Sequence, residues 1–184
     1  MNRAQFEHAI RAAGAILDRD EVLVLGSQAI HASISGPLPA EAERSIEVDI
    51  AVFGDDDGGR ADLIDGAIGE ASMFHATFGY YAQGVVESTA TLPDGWRERL
   101  VSFSTPATEG VTARCLEPHD LWISKAIAYR PKDLEFCRAL RRDGLVEPRV
   151  LFERLAAVPD LPEARRQLVE RLVAEANPGE EASR

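Results

Sequence analysis

A short apolar strand that breaks at a glycine most constrains the fold of this chain. Residues Glu21–Leu25 are apolar after the first position and include two β-branched valines, which predicts a buried strand. The pattern stops at Gly26-Ser27, and residues 28–32 are predicted to begin a helix. The unpaired N–H groups and positive dipole of a helix start favour an anion, and a glycine leaves room for one. A phosphate is therefore expected to bind against Gly26 and Ser27.

A second predicted strand carries two acidic side chains. Residues 46–52 alternate with a period of two, which places Glu47 and Asp49 on one face and the apolar side chains on the other. Two carboxylates on one face repel each other unless solvent, a cation or a basic group lies between them. Magnesium prefers one or two carboxylates together with phosphate oxygens. Glu47 and Asp49 are thus candidate metal ligands, and the alternative is a half-buried edge strand with a hydrated acidic face.

The length of 184 residues suits one well-buried core, and it is too short for two ordinary domains unless one is small. We expect an α/β core in residues 1–116 and a helical section in residues 117–176. Residues 177–184 have little apolar content to bury, so a frayed tail is expected there.

Composition and charge exclude several functional classes. Acidic residues outnumber basic ones by 31 to 20, and a net charge of −11 opposes binding to long duplex nucleic acid. No apolar run is long enough to span a membrane. The N-terminal residues do not have the pattern of a signal peptide, so a cytoplasmic location is expected.

The remaining patterns predict a series of further elements. Helical spacing indicates helices at Arg3–Leu17, Ala61–Ile68 and in four segments from Pro118 onward, with Pro131 separating the first two of these four. Shorter apolar runs predict strands at Arg99–Ser104 and Thr112–Leu116. Before these two strands, the segments Phe78–Gln83 and Gly84–Ser88 are expected to form a hairpin.

A second group of polar residues follows the start of a predicted helix at Pro118. Lys125, Arg130 and Lys132 form a basic group in an otherwise acidic chain. A triphosphate would require such cations opposite two metal-binding carboxylates. For Arg130 and Lys132, an alternative is a solvated helix end whose cations complement the carbonyl dipole.

Together, these segments resemble the nucleotidyltransferase superfamily, in particular small bacterial proteins related to AbiEii type toxins and to minimal nucleotidyltransferases. The resemblance covers most of the chain, and its four matching segments occur in family order. They are Gly26-Ser27, Arg44–Asp49, Gly95–Leu100, and Ser124-Lys125 with Arg130–Asp133.

The resemblance implies an α/β (α+β) fold: a mixed β-sheet core flanked by helices, with a C-terminal helical section. It also implies Mg²⁺-dependent transfer of a nucleoside monophosphate from a nucleoside triphosphate to a hydroxyl, with pyrophosphate leaving. Given the acidic surface, an RNA end or a protein is the expected acceptor. The implied site residues are Gly26 and Ser27 for the triphosphate, Glu47 and Asp49 for the metal, Lys125 with Arg130 and Lys132 for phosphate, and Asp133 as a further family acid.

Two features depart from the family pattern. The family usually has aspartate at the position of Glu47, and the extra methylene moves the carboxylate outward by more than about 1 Å. Many members also have a third carboxylate on a later strand, for which Glu87 and Asp94 are the candidates here. An alternative function is therefore a catalytically weakened protein that binds a nucleotide or a partner, such as one encoded in the same operon as part of a toxin–antitoxin type system.

Overall fold

The computed structural model describes residues 1–175, so the predicted tail at 177–184 lies outside the described residues. Within this range the chain forms eight α-helices, five β-strands and four short 3-10 helices. The strands are β1 Glu21–Val24, β2 Glu47–Ala51, β3 Tyr81–Gly84, β4 Val101–Phe103 and β5 Thr112–Cys115. The helices are α1 Arg3–Leu17, α2 Ala40–Glu43, α3 Gly59–Ile68, α4 Met73–Phe78, α5 Pro118–Ala128, α6 Pro131–Arg142, α7 Pro148–Ala156 and α8 Glu163–Ala174.

The strands form one mixed sheet in the order β3-β2-β1-β5-β4. β2 runs antiparallel to β1 and parallel to β3, while β5 runs parallel to β1 and antiparallel to β4. The two acidic positions thus lie on a strand that has a hydrogen-bonded neighbour on each side. A mixed sheet with flanking helices and a C-terminal helical section is the fold class that the sequence predicts, and this prediction is confirmed.

The chain divides into two compact units. The first comprises Met1–Ala90 and Leu100–Leu116, and it contains the whole sheet. The second comprises Thr91–Arg99 and the described chain from Glu117 onward, and it contains helices α5 to α8. The segment Thr91–Arg99 belongs with the helices, although it precedes β4 in sequence.

Helices α1 and α3 pack on the sheet in the first unit. α1 begins with a capping box, in which the side chain of Asn2 accepts from the amide of Gln5 and the side chain of Gln5 accepts from the amide of Asn2. α3 is held by the side chain of Asp55, which accepts hydrogen bonds from the amides of Arg60 and Ala61. Both helix starts therefore have their unpaired N–H groups partly satisfied by nearby side chains.

The two faces of β2 differ as the alternation predicts. Val48 and Ile50 are fully buried, whereas Glu47 and Asp49 are half-buried on the other face. α3 covers the apolar face, because Gly84 lies beside Ile50 in the β2–β3 register and packs against α3.

The predicted hairpin at Phe78–Gln83 and Gly84–Ser88 is wrong. Phe78 ends helix α4, whose cap Gly79 has a left-handed backbone with a φ of 75°, and only Tyr81–Gly84 forms a strand. This strand pairs with β2 in parallel, and the chain then turns into a 3-10 helix at Glu87–Thr89. Alternating apolar residues indicate a strand but not its partner, and the partner here is β2, whose paired residues lie 34 positions earlier in the chain, rather than the next segment.

In the second unit, α5 is the helix on which the others pack. It contacts α6, α7 and α8, and Leu121, Trp122 and Ile123 on successive positions are all fully buried. The indole Nε1 of Trp122 donates to the carbonyl of Cys137 on α6 at 2.9 Å. The buried indole therefore keeps a hydrogen-bond partner, as a polar group without water requires.

No helix in the described residues is both long enough and apolar enough to cross a membrane.

The close approach of β3 and α3 gives a test of the fold. A Cβ on Gly84 would overlap the backbone carbonyl of Ala61, so we expect Gly84→Ala to lower the free energy of unfolding by about 1–3 kcal/mol. Urea unfolding followed by circular dichroism measures this change. Gly66→Ala is the matched control: it lies in α3 with open space around it, and we expect a gain of about 0.5–1 kcal/mol. Equal effects of the two substitutions would contradict the packing of α3 on β3.

Candidate functional site

The carboxylate of Asp49 lies directly over Gly26. β1 and β2 pair so that the amide of Leu25 donates to the carbonyl of Asp49 at 3.2 Å, which brings the residue after Leu25 beside the Asp49 side chain. A Cβ on Gly26 would overlap the carboxylate oxygen Oδ2 of Asp49 and would lie 2.6 Å from its Cγ. The position therefore excludes every residue other than glycine unless Asp49 moves.

Space, and not backbone conformation, is the reason for this glycine. Gly26 has a φ of −88° and a ψ of −174°, an extended conformation that any residue adopts. The sequence predicts Gly26 as the place where a phosphate contacts the chain, but the volume of the missing side chain is taken by the Asp49 carboxylate. Ser27 then starts a six-residue 3-10 helix, Ser27–Ala32, instead of the expected α-helix.

Glu47, the other acid of the pair, is held from the β3 side of β2. Glu47 and Tyr81 are register partners on β2 and β3, and the Tyr81 hydroxyl donates to Glu47 Oε2 at 3.0 Å. Burial raises the pKa of Tyr81 to about 12, and the hydrogen bond to Glu47 and the charges of Glu47, Glu70 and Asp49 act in the same direction. The phenol therefore stays protonated and remains a donor at neutral pH.

The Tyr81 ring contacts helix α4. The imidazole of His75 lies 4.8 Å from the ring of Tyr81, centroid to centroid. The Nδ1 atom of His75 accepts from the amide of Ala71 at 3.1 Å, and this hydrogen bond fixes the orientation of the imidazole. Tyr81 is thus restrained by its strand, by the His75 ring and by the Glu47 carboxylate.

A third carboxylate does not join the pair. The residue beside Asp49 on β3 is Gln83, and among the described residues no three acidic, histidine or cysteine side chains form a group that could hold a metal ion. Glu87, one candidate for the third acid, accepts from the amide of Gly54 at 3.1 Å. Asp94, the other candidate, lies in the second unit, where its amide donates to the carbonyl of Ala157.

The basic group predicted from the sequence lies in the second unit and surrounds Asp133. This carboxylate is almost completely buried, and it pairs with Lys125 at 3.7 Å and with Arg130 through two hydrogen bonds. Lys132 lies on the same first turn of α6 and is exposed. Lys125 and Arg130 therefore already have an anionic partner within their own unit.

The structure accordingly divides the predicted site residues into two groups. Gly26, Ser27, Glu47 and Asp49 lie in the first unit, where Asp49 contacts Gly26 and Glu47 faces Tyr81 of β3. The other group comprises Lys125, Arg130, Lys132 and Asp133, at the end of α5 and the start of α6 in the second unit.

A second buried acid of the helical unit, Asp120, was not predicted. Arg99 donates to both of its carboxylate oxygens, at 2.8 and 3.1 Å, and Arg154 lies 3.2 Å from Oδ1. Burial raises the pKa of Asp120 and the nearby Glu117 charge adds to this, although Arg99 and Arg154 act in the opposite direction. The hydrogen bonds from Arg99 to Asp120 attach this residue to α5, which explains why Thr91–Arg99 belongs to the helical unit. Asp120 is therefore the partner of Arg99. Arg97, by contrast, lies over the ring of Trp96 at 4.8 Å.

Glu117 caps the start of α5. Its side chain accepts from the amides of His119 and Asp120 and from His119 Nδ1, whereas His119 Nε2 accepts from the amide of Glu147. Burial disfavours the charged carboxylate, but the hydrogen bonds from the His119 side chain and from the two amides outweigh it, so the pKa of Glu117 is lowered. His119 is therefore held in one tautomer as a structural link.

Tyr81 and Asp120 are the residues near the candidate groups that the sequence does not identify. The position of Asp120 directly before the apolar run of α5 is a local signal, because a carboxylate buried there needs cationic partners. Tyr81 has no local signal, since its contact with Glu47 depends on the parallel register of β2 and β3.

Comparison with protein families gives one finding. A family model described as "Nucleotidyltransferase of unknown function (DUF6036)" matches residues 4–157, which is most of the chain. Comparisons with curated proteins and with solved structures gave no significant match.

The contact between Asp49 and Gly26 can be tested by a double-mutant cycle. We expect Gly26→Ala to lower the free energy of unfolding by about 1–3 kcal/mol, because the new methyl group must displace the Asp49 carboxylate. In an Asp49→Ala background the carboxylate is absent, so the effect of Gly26→Ala should fall to less than half. Urea unfolding of the four proteins measures the coupling. An equal effect in both backgrounds would show that another neighbour makes glycine necessary.

The hydrogen bonds of Glu117 predict a pH dependence. A carboxyl with a lowered pKa stabilises the fold above its unfolded pKa, and this contribution disappears as the pH falls through its folded pKa. We therefore expect Glu117→Gln to lower the free energy of unfolding by about 1 kcal/mol at pH 7, and by progressively less below about pH 4.3. The exposed pair of Glu153 with Arg149 provides the control, because Glu153→Gln should change stability by less than about 0.5 kcal/mol. If Glu117→Gln lowers the free energy of unfolding equally at pH 7 and below about pH 4.3, this linkage is ruled out.

Proposed function

The chain belongs to this family of nucleotidyltransferases, and we propose that it transfers a nucleoside monophosphate from a nucleoside triphosphate to a hydroxyl group. The proposed acceptor is an RNA end or a protein, and the proposed metal is Mg²⁺. The net charge of −11 supports an RNA end or a protein as the acceptor, because it opposes binding to long duplex nucleic acid.

The observation that supports this proposal most is the position of the two carboxylates. Glu47 and Asp49 share one face of β2, both are half-buried, and Asp49 lies against Gly26 in the turn after β1. Asp133 differs from this pair, because it is almost completely buried and is paired with Lys125 and Arg130. Glu47 and Asp49 are only partly buried, so solvent reaches both side chains.

The donor set fits Mg²⁺. Carboxylate oxygens are hard ligands, and Mg²⁺ is commonly bound by one or two of them with phosphate oxygens and water in the remaining positions. Glu47 and Asp49 would hold the ion, and two acids without a third favour one ion over two. When bound, Mg²⁺ would neutralise charge on the phosphate oxygens during transfer.

The side chains and backbone around the pair would supply positioning. Gly26 lets the Asp49 carboxylate lie close to the backbone of the turn, and Ser27 offers a hydroxyl at the start of the next helix. Fixing the donors before the nucleotide arrives lowers the reorganisation needed during the reaction. For Lys125, Arg130, Lys132 and Asp133, a role in phosphate binding stays a prediction from the family resemblance, and the proposal does not depend on it.

A second candidate function is nucleotide or partner binding without transfer. Two observations favour it: glutamate stands at position 47, and the described residues contain no third acid beside the pair. In that case the protein would bind a metal-nucleotide complex and release it unchanged. Its proposed role would then be to sense a nucleotide or to bind a partner protein.

The transfer reaction can be tested directly. The protein is incubated with Mg²⁺, each of the four ribonucleoside triphosphates labelled at the α-phosphate, and either short RNAs or a mixture of proteins. We expect labelled acceptor with at least one nucleotide, and we expect Asp49→Asn to reduce the rate about 100-fold or more, because a metal-binding charge is lost.

Glu21→Gln serves as the matched control for this experiment. Glu21 is also an acid on the sheet, but it is exposed and lies at the start of β1, whereas Gly26 follows the other end of this strand. Its substitution should leave the rate unchanged. Binding of the nucleotide without any transfer would support the second candidate, and the absence of both binding and transfer would reject both functions.

A further inference from the structure

We propose that Tyr81 is a positioning residue that holds the Glu47 carboxylate for metal binding; this inference rests on the proposed function. The ionised carboxylate can only accept a hydrogen bond, so the Tyr81 hydroxyl is the donor in their 3.0 Å contact. The phenol acts through Glu47 and does not itself bind the metal.

Tyr81 is rigid enough for this task. Its main chain is paired with β2, since Glu47 and Tyr81 are register partners and the Tyr81 amide donates to the carbonyl of Ile46 at 3.0 Å. Its side chain is buried, and its ring lies against the imidazole of His75. A hydroxyl on such a ring offers a fixed hydrogen-bond donor to the acid opposite it.

Glu47 needs this restraint more than an aspartate would. The glutamate side chain has one more rotatable bond, so its carboxylate reaches further from β2 and has more positions available to it. Mg²⁺ tolerates little deviation from its preferred geometry. A hydrogen bond from Tyr81 reduces the number of carboxylate positions before the metal arrives, as partners of metal-binding carboxylates commonly do.

The two acids would then be held from opposite edges of β2. Asp49 is confined on the β1 side by its contact with Gly26, and Glu47 is confined on the β3 side by Tyr81. The glutamate at position 47 and the tyrosine on β3 therefore form a matched pair. A longer acid is suited to this site because β3 supplies a donor within its reach.

Mn²⁺ binding measured by electron paramagnetic resonance tests the proposal without relying on activity. We expect Tyr81→Phe to weaken Mn²⁺ binding about 10-fold, the effect typical of removing a partner of a metal ligand. In a Glu47→Gln background the same substitution should change the affinity less than about two-fold, because the carboxylate that Tyr81 holds is gone.

Tyr80→Phe is the matched control. Tyr80 is the adjacent tyrosine and is also buried, but its hydroxyl bonds to His8 on α1 and not to Glu47. This variant should bind Mn²⁺ as the wild-type protein does. An unchanged affinity in Tyr81→Phe, or a loss that persists in the Glu47→Gln background, would overturn the positioning role while leaving the proposed function intact. A wild-type protein that binds no Mn²⁺, with or without a nucleoside triphosphate, would overturn both.

Glu47→Asp provides a second test that leaves Tyr81 in place. The shorter side chain withdraws the carboxylate from the Tyr81 hydroxyl by about 1.5 Å, so we expect weaker Mn²⁺ binding than in the wild-type protein. Adding Tyr81→Phe to this variant should have little further effect. If Glu47→Asp binds Mn²⁺ more tightly than the wild-type protein, the matched-pair proposal is wrong.

Discussion

The fit of the Asp49 carboxylate over Gly26 is the constraint on which the acidic face of this protein depends. β1 and β2 must pair in antiparallel register to bring these residues together, and position 26 must have no side chain. The glycine is in an extended conformation that other residues also adopt, so the requirement comes only from the space beside Asp49. One tertiary contact thus joins the turn after β1 to an acid on β2.

The sheet order gives β2 its central part in the proposed site. Because β1 and β3 flank it, its two acids have neighbours on different sides: Gly26, in the turn after β1, lies beside Asp49, and Tyr81 of β3 lies beside Glu47. The other face of β2 is buried under helices, which leaves only one face available for a ligand. Membership of a nucleotidyltransferase family agrees with such an acidic face, and the metal, the nucleotide and the acceptor are proposals that build on it.

Acidic residues have different roles in the two units. In the helical unit, Asp120 and Asp133 are buried, and each is paired with two cations. Such pairs contribute little net stability over an apolar core, but a buried carboxylate that loses its partner is strongly destabilising. On β2 the two acids are half-buried and lie two positions apart on the same face. A cation between them would reduce the repulsion of their charges. The acids of the two units therefore differ in burial and in the cations that contact them.

The sequence by itself determined the elements whose signals are local. Helical spacing predicted α1 and the C-terminal helices, Pro131 marked the boundary between α5 and α6, and alternation placed Glu47 and Asp49 on one face of a strand. Only the tertiary structure decided that β3 pairs with β2 in parallel, that Tyr81 contacts Glu47, and that Arg99 and Arg154 meet at Asp120. The physical reason is range: periodicity reports on residues two to four positions apart, whereas strand register and buried ion pairs join segments that are distant in the chain.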